Sequence, residues 1–193
     1  MTEMKNIKCI FLEETNLSRV WLRRYVGNSV CTCKMTYHNA MNMVADMDRT
    51  QDFGDYTDDP RWPSVCSCGY KFVDQDTKQV FARALFSHEG KLFTIEDAPV
   101  GSMWYSSWHS DTPEWCGTDG KSLTIKTPGG IWHIDSRASN CTMKDDKIHK
   151  CWVRHGTPPD ITVDKNGLTC AAGAGSIRCG DYHGFLRNGF LVD

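Results

Sequence analysis

Cys31-Thr32-Cys33 and Cys66-Ser67-Cys68-Gly69 are the two stretches that decide how this chain is read, with His38 close behind the first. Each is a short chelating pair. Zinc takes four soft or borderline ligands at the corners of a tetrahedron, and a turn aims two nearby thiolates at one point. A glycine after the last thiol lets backbone amides tilt towards sulfur. The spacing is one residue between cysteines, where zinc ribbons usually have two, and five candidates compete for four positions. The preferred set is Cys31, His38, Cys66 and Cys68, with Cys33 as the substitute. Four protein ligands leave no coordination position for substrate, so this zinc is expected to be structural. The plainer reading is reduced, unliganded cysteine at the bases of two turns.

Between the pairs, residues 39–63 are rich in Met, Asp and Gly and carry Asp58-Asp59-Pro60 and Trp62-Pro63. They read as a long loop, which needs pinning. Upstream, residues 7–12 and 20–26 have the β-branched and aromatic content of strands around a polar turn, and are expected to pair as a hairpin. Downstream, Asp74 and Asp76 precede Val80, Phe81, Ala84 and Leu85, whose spacing predicts a helix. The aromatic run Met103-Trp104-Tyr105-Ser106-Ser107-Trp108 reads as core. Three hairpins are expected beyond it: 123–126 with 131–134, 161–163 with 168–169, and 185–187 with 190–192, the last two across Asn-Gly turns. The small-residue segment 171–176 lacks the Lys-Ser/Thr ending of a phosphate loop. The expectation is an α+β, β-rich protein: a zinc-ribbon-like, zinc-pinned region with one helix over 1–100, then a small hairpin-built β domain over 101–193.

A chain of 193 residues with 40% hydrophobic and 24% charged residues has the composition of a globular protein. Its net charge of −2 argues against a general polyanion binder. The apolar stretch 7–12 is interrupted by Lys8 and halted by Glu13 and Glu14, so no signal peptide is expected. No run approaches the roughly 20 apolar residues of a membrane span. The expected location is a reducing cytoplasm, where ten cysteines point to metal rather than to disulfides.

Cys141, Cys151, Cys179 and His183 form a second candidate site, the last two as a Cys-x₃-His pair. Buried thiols and a hydrogen-bonded histidine are the plainer alternative. The segment with Cys151-Trp152, Gly167-Leu168-Thr169, Gly175-Ser176-Ile177, Cys179 and His183-Gly184-Phe185-Leu186-Arg187-Asn188-Gly189 resembles a small domain of unknown function found in phages and bacteria. Over the last third of the chain, that resemblance implies a metal-binding β fold. It supports Cys151, Cys179 and His183 as ligands, with Cys141 added by proximity. The chain departs from it by lacking a tight cysteine knuckle in place of the Cys141–Cys151 stretch. Residues 134–141 and 162–167 also resemble hypothetical proteins of tailed phages, which implies a place in the host cytoplasm or the virion.

Three functional classes follow. A metal-dependent hydrolase would draw on His133, Asp135, His149, His155, Asp164 and His183, three of them with an open position activating water. Its variant makes Cys141 a nucleophile with His155 or His149 as base. No spacing such as His-Glu-x-x-His supports either. A zinc-ribbon nucleic-acid binder would use Trp21, Arg23, Arg24 and Tyr25, beside Arg19, where cations and rings alternate. The favoured class is a zinc-stabilised binding or structural protein, either a virion accessory subunit or a factor that meets a phage or host protein. Seven tryptophans supply its anchors.

Overall fold

The computed structural model describes residues 6–27, 31–32, 37–146, 149–166, 170, 172 and 175–193. In chain order its strands are β1 Ile7–Lys8, β2 Ile10–Phe11, β3 Glu13–Val26, β4 His38–Asp48, β5 Thr77–His88, β6 Lys91–Phe93, β7 Ser102–Tyr105, β8 Leu123–Thr127, β9 Gly130–His133, β10 Val153–Thr157, β11 Asp160–Asp164, β12 Ile177–Cys179, β13 Tyr182–Arg187 and β14 Phe190–Val192. Helical geometry among the described residues is limited to two 3₁₀ turns, Ser107–His109 and Pro113–Trp115. The fold is therefore β-rich without the expected α component. Among the described residues no helix is long and apolar enough to cross a membrane.

Two compact units interleave along the chain. The smaller comprises Thr15–Phe86 and Leu92–Ile95, and the larger Met1–Glu14, Ser87–Lys91 and Glu96–Asp193. The expected blocks 1–100 and 101–193 differ from this division, because the first strands and residues 96–100 belong with the C-terminal part.

In the smaller unit the sheet order is β4-β3-β5-β6. Side chains alternate across a strand, and β3 shows that period. Ser18, Val20, Leu22 and Arg24 are buried, while Arg19, Trp21, Arg23 and Tyr25 turn to the other face. β3 runs antiparallel to β4, from Leu17 opposite Asp48 to Val26 opposite His38, with a bulge between Val20 and Trp21. Three expectations fail here. Residues 7–12 do not form a hairpin with 20–26, since β1 pairs with β14 and β2 runs parallel to β7. Residues 39–48 are strand rather than loop. The helix expected at Val80–Leu85 is replaced by β5. Its Thr, Val and Phe content suits a pleated surface, and Phe81 stacks on Trp21 at 5.1 Å and 17°, so cross-strand packing overrides the helical spacing.

The larger unit holds two four-stranded sheets, β1-β14-β13-β12 and β2-β7-β8-β9, and the β10-β11 ribbon. Cys9, Met103, Leu123, Ile125, Ile134, Ile161 and Leu186 are buried together as its core. Trp104 is fully buried and Trp108 exposed, dividing the aromatic run between core and surface. The hairpins at 123–134 and 185–192 form, with Thr124 opposite His133 and Phe185 opposite Val192. Asn188 and Gly189, at φ 47° and 74°, supply the left-handed turn of the second. β11 pairs upstream with β10; the partner expected at 168–169 lies outside the described residues.

Candidate metal centres

The smaller unit carries the first centre. Cys31 follows the end of β3, and His38 is the first residue of β4. Cys66 and Cys68 sit on a tight loop closed by a bridge between Val65 and Lys71. Within it the Gly69 amide donates to the Cys66 carbonyl and the Cys66 amide to that of Tyr70, both at 2.8 Å. Gly69 takes φ 91°, which favours glycine. His38 Nδ1 lies 3.2 Å from Cys68 Sγ, and Cys31 Sγ lies 3.7 Å from Cys66 Sγ. The four donor atoms fall within 4.8 Å of one another. The Tyr70 ring stacks on the His38 imidazole at 4.1 Å and fixes its plane, while Phe72 packs against Cys31 and Cys66. Backbone hydrogen bonding from Cys68 is the chief cause pulling the Cys66 thiol down to about 6. Cys31 is disulfide-bonded, so that bond must be reduced before Cys31 can serve as a thiolate. Cys33 also lies outside the described residues.

The second centre, in the larger unit, brings together Cys141, His149, Cys151 and Cys170, all buried, with donor atoms again within 4.8 Å. Cys151 Sγ lies 3.5 Å from His149 Nε2 and 3.8 Å from Cys170 Sγ. The Met143 amide donates to Cys141 Sγ at 3.4 Å. Arg137 ties down the connection between Cys141 and His149 by donating to the carbonyls of Met143, Lys144 and Asp146, and Asp146 Oδ1 accepts from the His149 amide. Burial pushes the Cys151 thiol up to about 11. Burial also acts to raise Cys170, but backbone hydrogen bonding from Ala172, bonds with Cys151 and Cys141, and the Lys165 charge bring it below its ordinary value. Both groups can hold a metal ion.

This second set differs from the one expected. Cys141 and Cys151 are in it; Cys179 and His183 are not. In the β12–β13 register Cys179 faces Tyr182 and Arg178 faces His183, which puts Cys179 and His183 on opposite faces of the hairpin. Cys179 Sγ instead contacts the Ile131 carbonyl at 3.4 Å, and exposed His183 shares a hydrogen bond with Ser176 Oγ at 3.1 Å. Cys170 and His149 take their places. One signal for His149 was available: His149-Lys150-Cys151 repeats the one-residue spacing of Cys66-Ser67-Cys68. Cys170 had no local partner to mark it.

No family model, no curated protein and no solved structure matches the chain. The geometry of the two centres and of the remaining candidates therefore carries the functional reading.

Among the described residues the hydrolase candidates are not gathered into one group. Asp135 is buried against Arg154 at 2.9 Å and accepts from the Leu123 amide; burial raises its carboxyl. His133 shares a hydrogen bond with Thr124 at 3.0 Å, and burial followed by the neighbouring His109 lowers it. His155 pairs with Asp164 on the β10–β11 ribbon. Cys141 meets His149 only as a member of the second centre. Of the nucleic-acid candidates, Arg24 is buried and donates to the Pro63 and Val73 carbonyls over the Phe72 ring. Trp21, Arg23 and Tyr25 share the opposite face. Arg23 bonds Asn39, Gln79 and Tyr37 and lies 4.7 Å from the centre of the Tyr25 ring.

Proposed function

We propose that this is a zinc-scaffolded binding protein, each unit held by one closed Cys₃His site. The observation that carries the reading is the convergence of four donor atoms in each of two groups. Zn–S bonds of about 2.3 Å place tetrahedral sulfurs roughly 3.8 Å apart, and a sulfur and an imidazole nitrogen roughly 3.5 Å apart. The separations of 3.7 and 3.8 Å between sulfurs, and of 3.5 Å between Cys151 and His149, follow that pattern. Three thiolates and an imidazole, with no oxygen donor, suit zinc over magnesium or calcium. Amides two residues on stabilise sulfur in both sites, as outer-shell donors do for thiolate ligands. Protein purified in reductant without added metal should contain two zinc ions per chain by elemental analysis. Cys66→Ser with Cys68→Ser should remove one, and Cys151→Ser the other. Less than one zinc per chain, with these variants folding normally, would overturn the reading.

Closed sites hold loops and leave no position for substrate, which favours binding over catalysis. The smaller unit has a surface for it. Opposite Trp21 and Arg23 on β3 stand Met43 and Met41 of β4, 57% and 47% exposed. With Phe81 and Tyr25 they make a sheet face of rings, methionine and arginine, the residue types enriched at protein interfaces. The partner we propose is a protein, of phage or host origin, with the chain as an accessory subunit of the virion; the sequence resemblance alone supports that origin. Defined copy number in purified particles, lost on Trp21→Ala with Met43→Ala, is the expected result. A salt-sensitive shift of single-stranded DNA or RNA, abolished by Arg23→Glu, would assign the face to nucleic acid instead.

A further inference from the structure

The larger unit contains a cavity of about 540 Å³ whose walls include Trp132, Arg137, Asn140, Trp152, Arg178 and His183. Its size is that of a small-molecule site. None of the described residues lining it is acidic. Arg178 and His183 stand directly opposite each other on β12 and β13, so their side chains leave the same face about 5 Å apart. Donor groups so placed can both reach one anion lying between them. Among the described residues neither Arg137 nor Arg178 pairs with a carboxylate; Arg137 spends its terminal N–H groups on three neutral carbonyls, which leaves its charge uncancelled. Ser176, on the same wall, shares its hydroxyl with His183. The indoles of Trp132 and Trp152 pack 5.3 Å apart, and the Trp152 N–H is taken by the Ile134 carbonyl, so this indole presents apolar surface.

We infer that this cavity binds an oxyanion, specifically a phosphate ester: Arg178 and His183 contact the phosphoryl oxygens, Arg137 supplies fixed positive charge, and the tryptophan pair covers the apolar body of the ligand. Arginine is suited to this task because its planar fork offers paired N–H donors to phosphate. The inference is separate from the zinc reading except that Ala138 and Trp152, both on the cavity wall, also pack against Cys141, Cys151 and Cys170.

The test titrates the metal-loaded chain, by calorimetry and tryptophan fluorescence, with inorganic phosphate, adenosine monophosphate and an oligonucleotide lacking a terminal phosphate, reading zinc content on the same samples. Saturable binding in the micromolar to millimolar range is expected, weakened at least about tenfold by Arg178→Glu with zinc unchanged. Tighter binding of the monophosphate than of phosphate assigns a small ester as the source, whereas tighter binding of the oligonucleotide assigns the phosphates of a strand. Arg187→Glu makes the same charge change on β13 outside the cavity and should leave binding intact. Equal loss with Arg187→Glu, or no saturable binding of any probe by protein holding two zinc ions, overturns the inference. A chain that lacks zinc yet binds phosphate sinks the zinc reading and leaves this one standing.

Discussion

At Cys9 and Cys66 the fold moves two thiols in opposite directions, and the signs are testable. Cys9 is 1% exposed in the core of the larger unit, and burial raises it from 9.0 to about 12. A raised folded value means the neutral thiol contributes stability in full below pH 9, and that contribution is lost as pH climbs from 9 towards 12. Melting temperature should fall across that window, and Cys9→Ala should flatten the fall. Tyr182, pushed from 10.0 to about 12 chiefly by burial, acts in the same direction and leaves a residual slope. Cys66, lowered to about 6, has the reverse sign: its thiolate contribution is complete above pH 9 and gone below 6. In metal-free, reduced protein, acid should therefore weaken the smaller unit, and Cys66→Ser should remove that dependence. The two thiols also mark what sequence conveys about a site. Cys66 and Cys68 announce themselves because chelating neighbours lie one residue apart. Cys170 lies far along the chain from Cys141 and Cys151, and no local pattern shows that folding will bring them within one coordination sphere.

The strands that could be read from sequence are those whose turns carry their own chemistry. Asn188-Gly189 needs positive φ and receives it, so β13 and β14 are found where expected. β3 and β5 are different, because their pairing is long-range. Val80, Phe81, Ala84 and Leu85 satisfy a helical period as well as a strand packed against Trp21, and only the partner decides. A second long-range constraint explains Cys179. At Gly129, in the β8–β9 turn, an added Cβ would lie 1.7 Å from the Cys179 carbonyl oxygen and 2.8 Å from the Tyr182 amide nitrogen. The Cys179-Gly180 turn is thus packed backbone to backbone on the β8–β9 hairpin, and the Cys179 Sγ faces the Ile131 carbonyl of that hairpin. Gly129→Ala should cost about 1–3 kcal/mol, the usual cost of overpacking. Gly27→Ala, with nothing within 4 Å of the new Cβ, should be neutral or slightly stabilising through the unfolded chain. Denaturant unfolding of the two variants measures the difference, and equal stability would mean that the Gly129 approach is not maintained in solution.

The division of the chain into two units with one centre each makes metal removal a question about the whole molecule. Cys31, His38, Cys66 and Cys68 all belong to the smaller unit, and Cys141, His149, Cys151 and Cys170 to the larger. The buried groups around them differ in scale. The first centre is packed by Phe72, with Val26, Ala40 and Tyr70 partly buried, and the smaller unit also buries Val20, Leu22, Leu85 and Phe86, whereas the larger unit has the more extensive apolar core, built on Met103, Leu123, Ile125, Ile134, Ile161, Ile177, Leu186 and Leu191. A small core depends more on its metal, because apolar burial alone cannot offset the entropy of ordering its loops. Chelation in reductant should therefore unfold the two units unequally. Amide exchange is expected to accelerate first through β3, β4 and the 65–71 loop, while β8, β13 and β14 keep most of their protection after both metals have gone. Cys66→Ser with Cys68→Ser should reproduce the first change in the presence of zinc and leave the larger unit protected. Cys151→Ser should instead loosen residues 137–146 and 149–153 and leave β3 and β4 unchanged. If either variant loosened both units equally, the two centres would not be independent scaffolds, and the assignment of one zinc to each unit's own stability would fail.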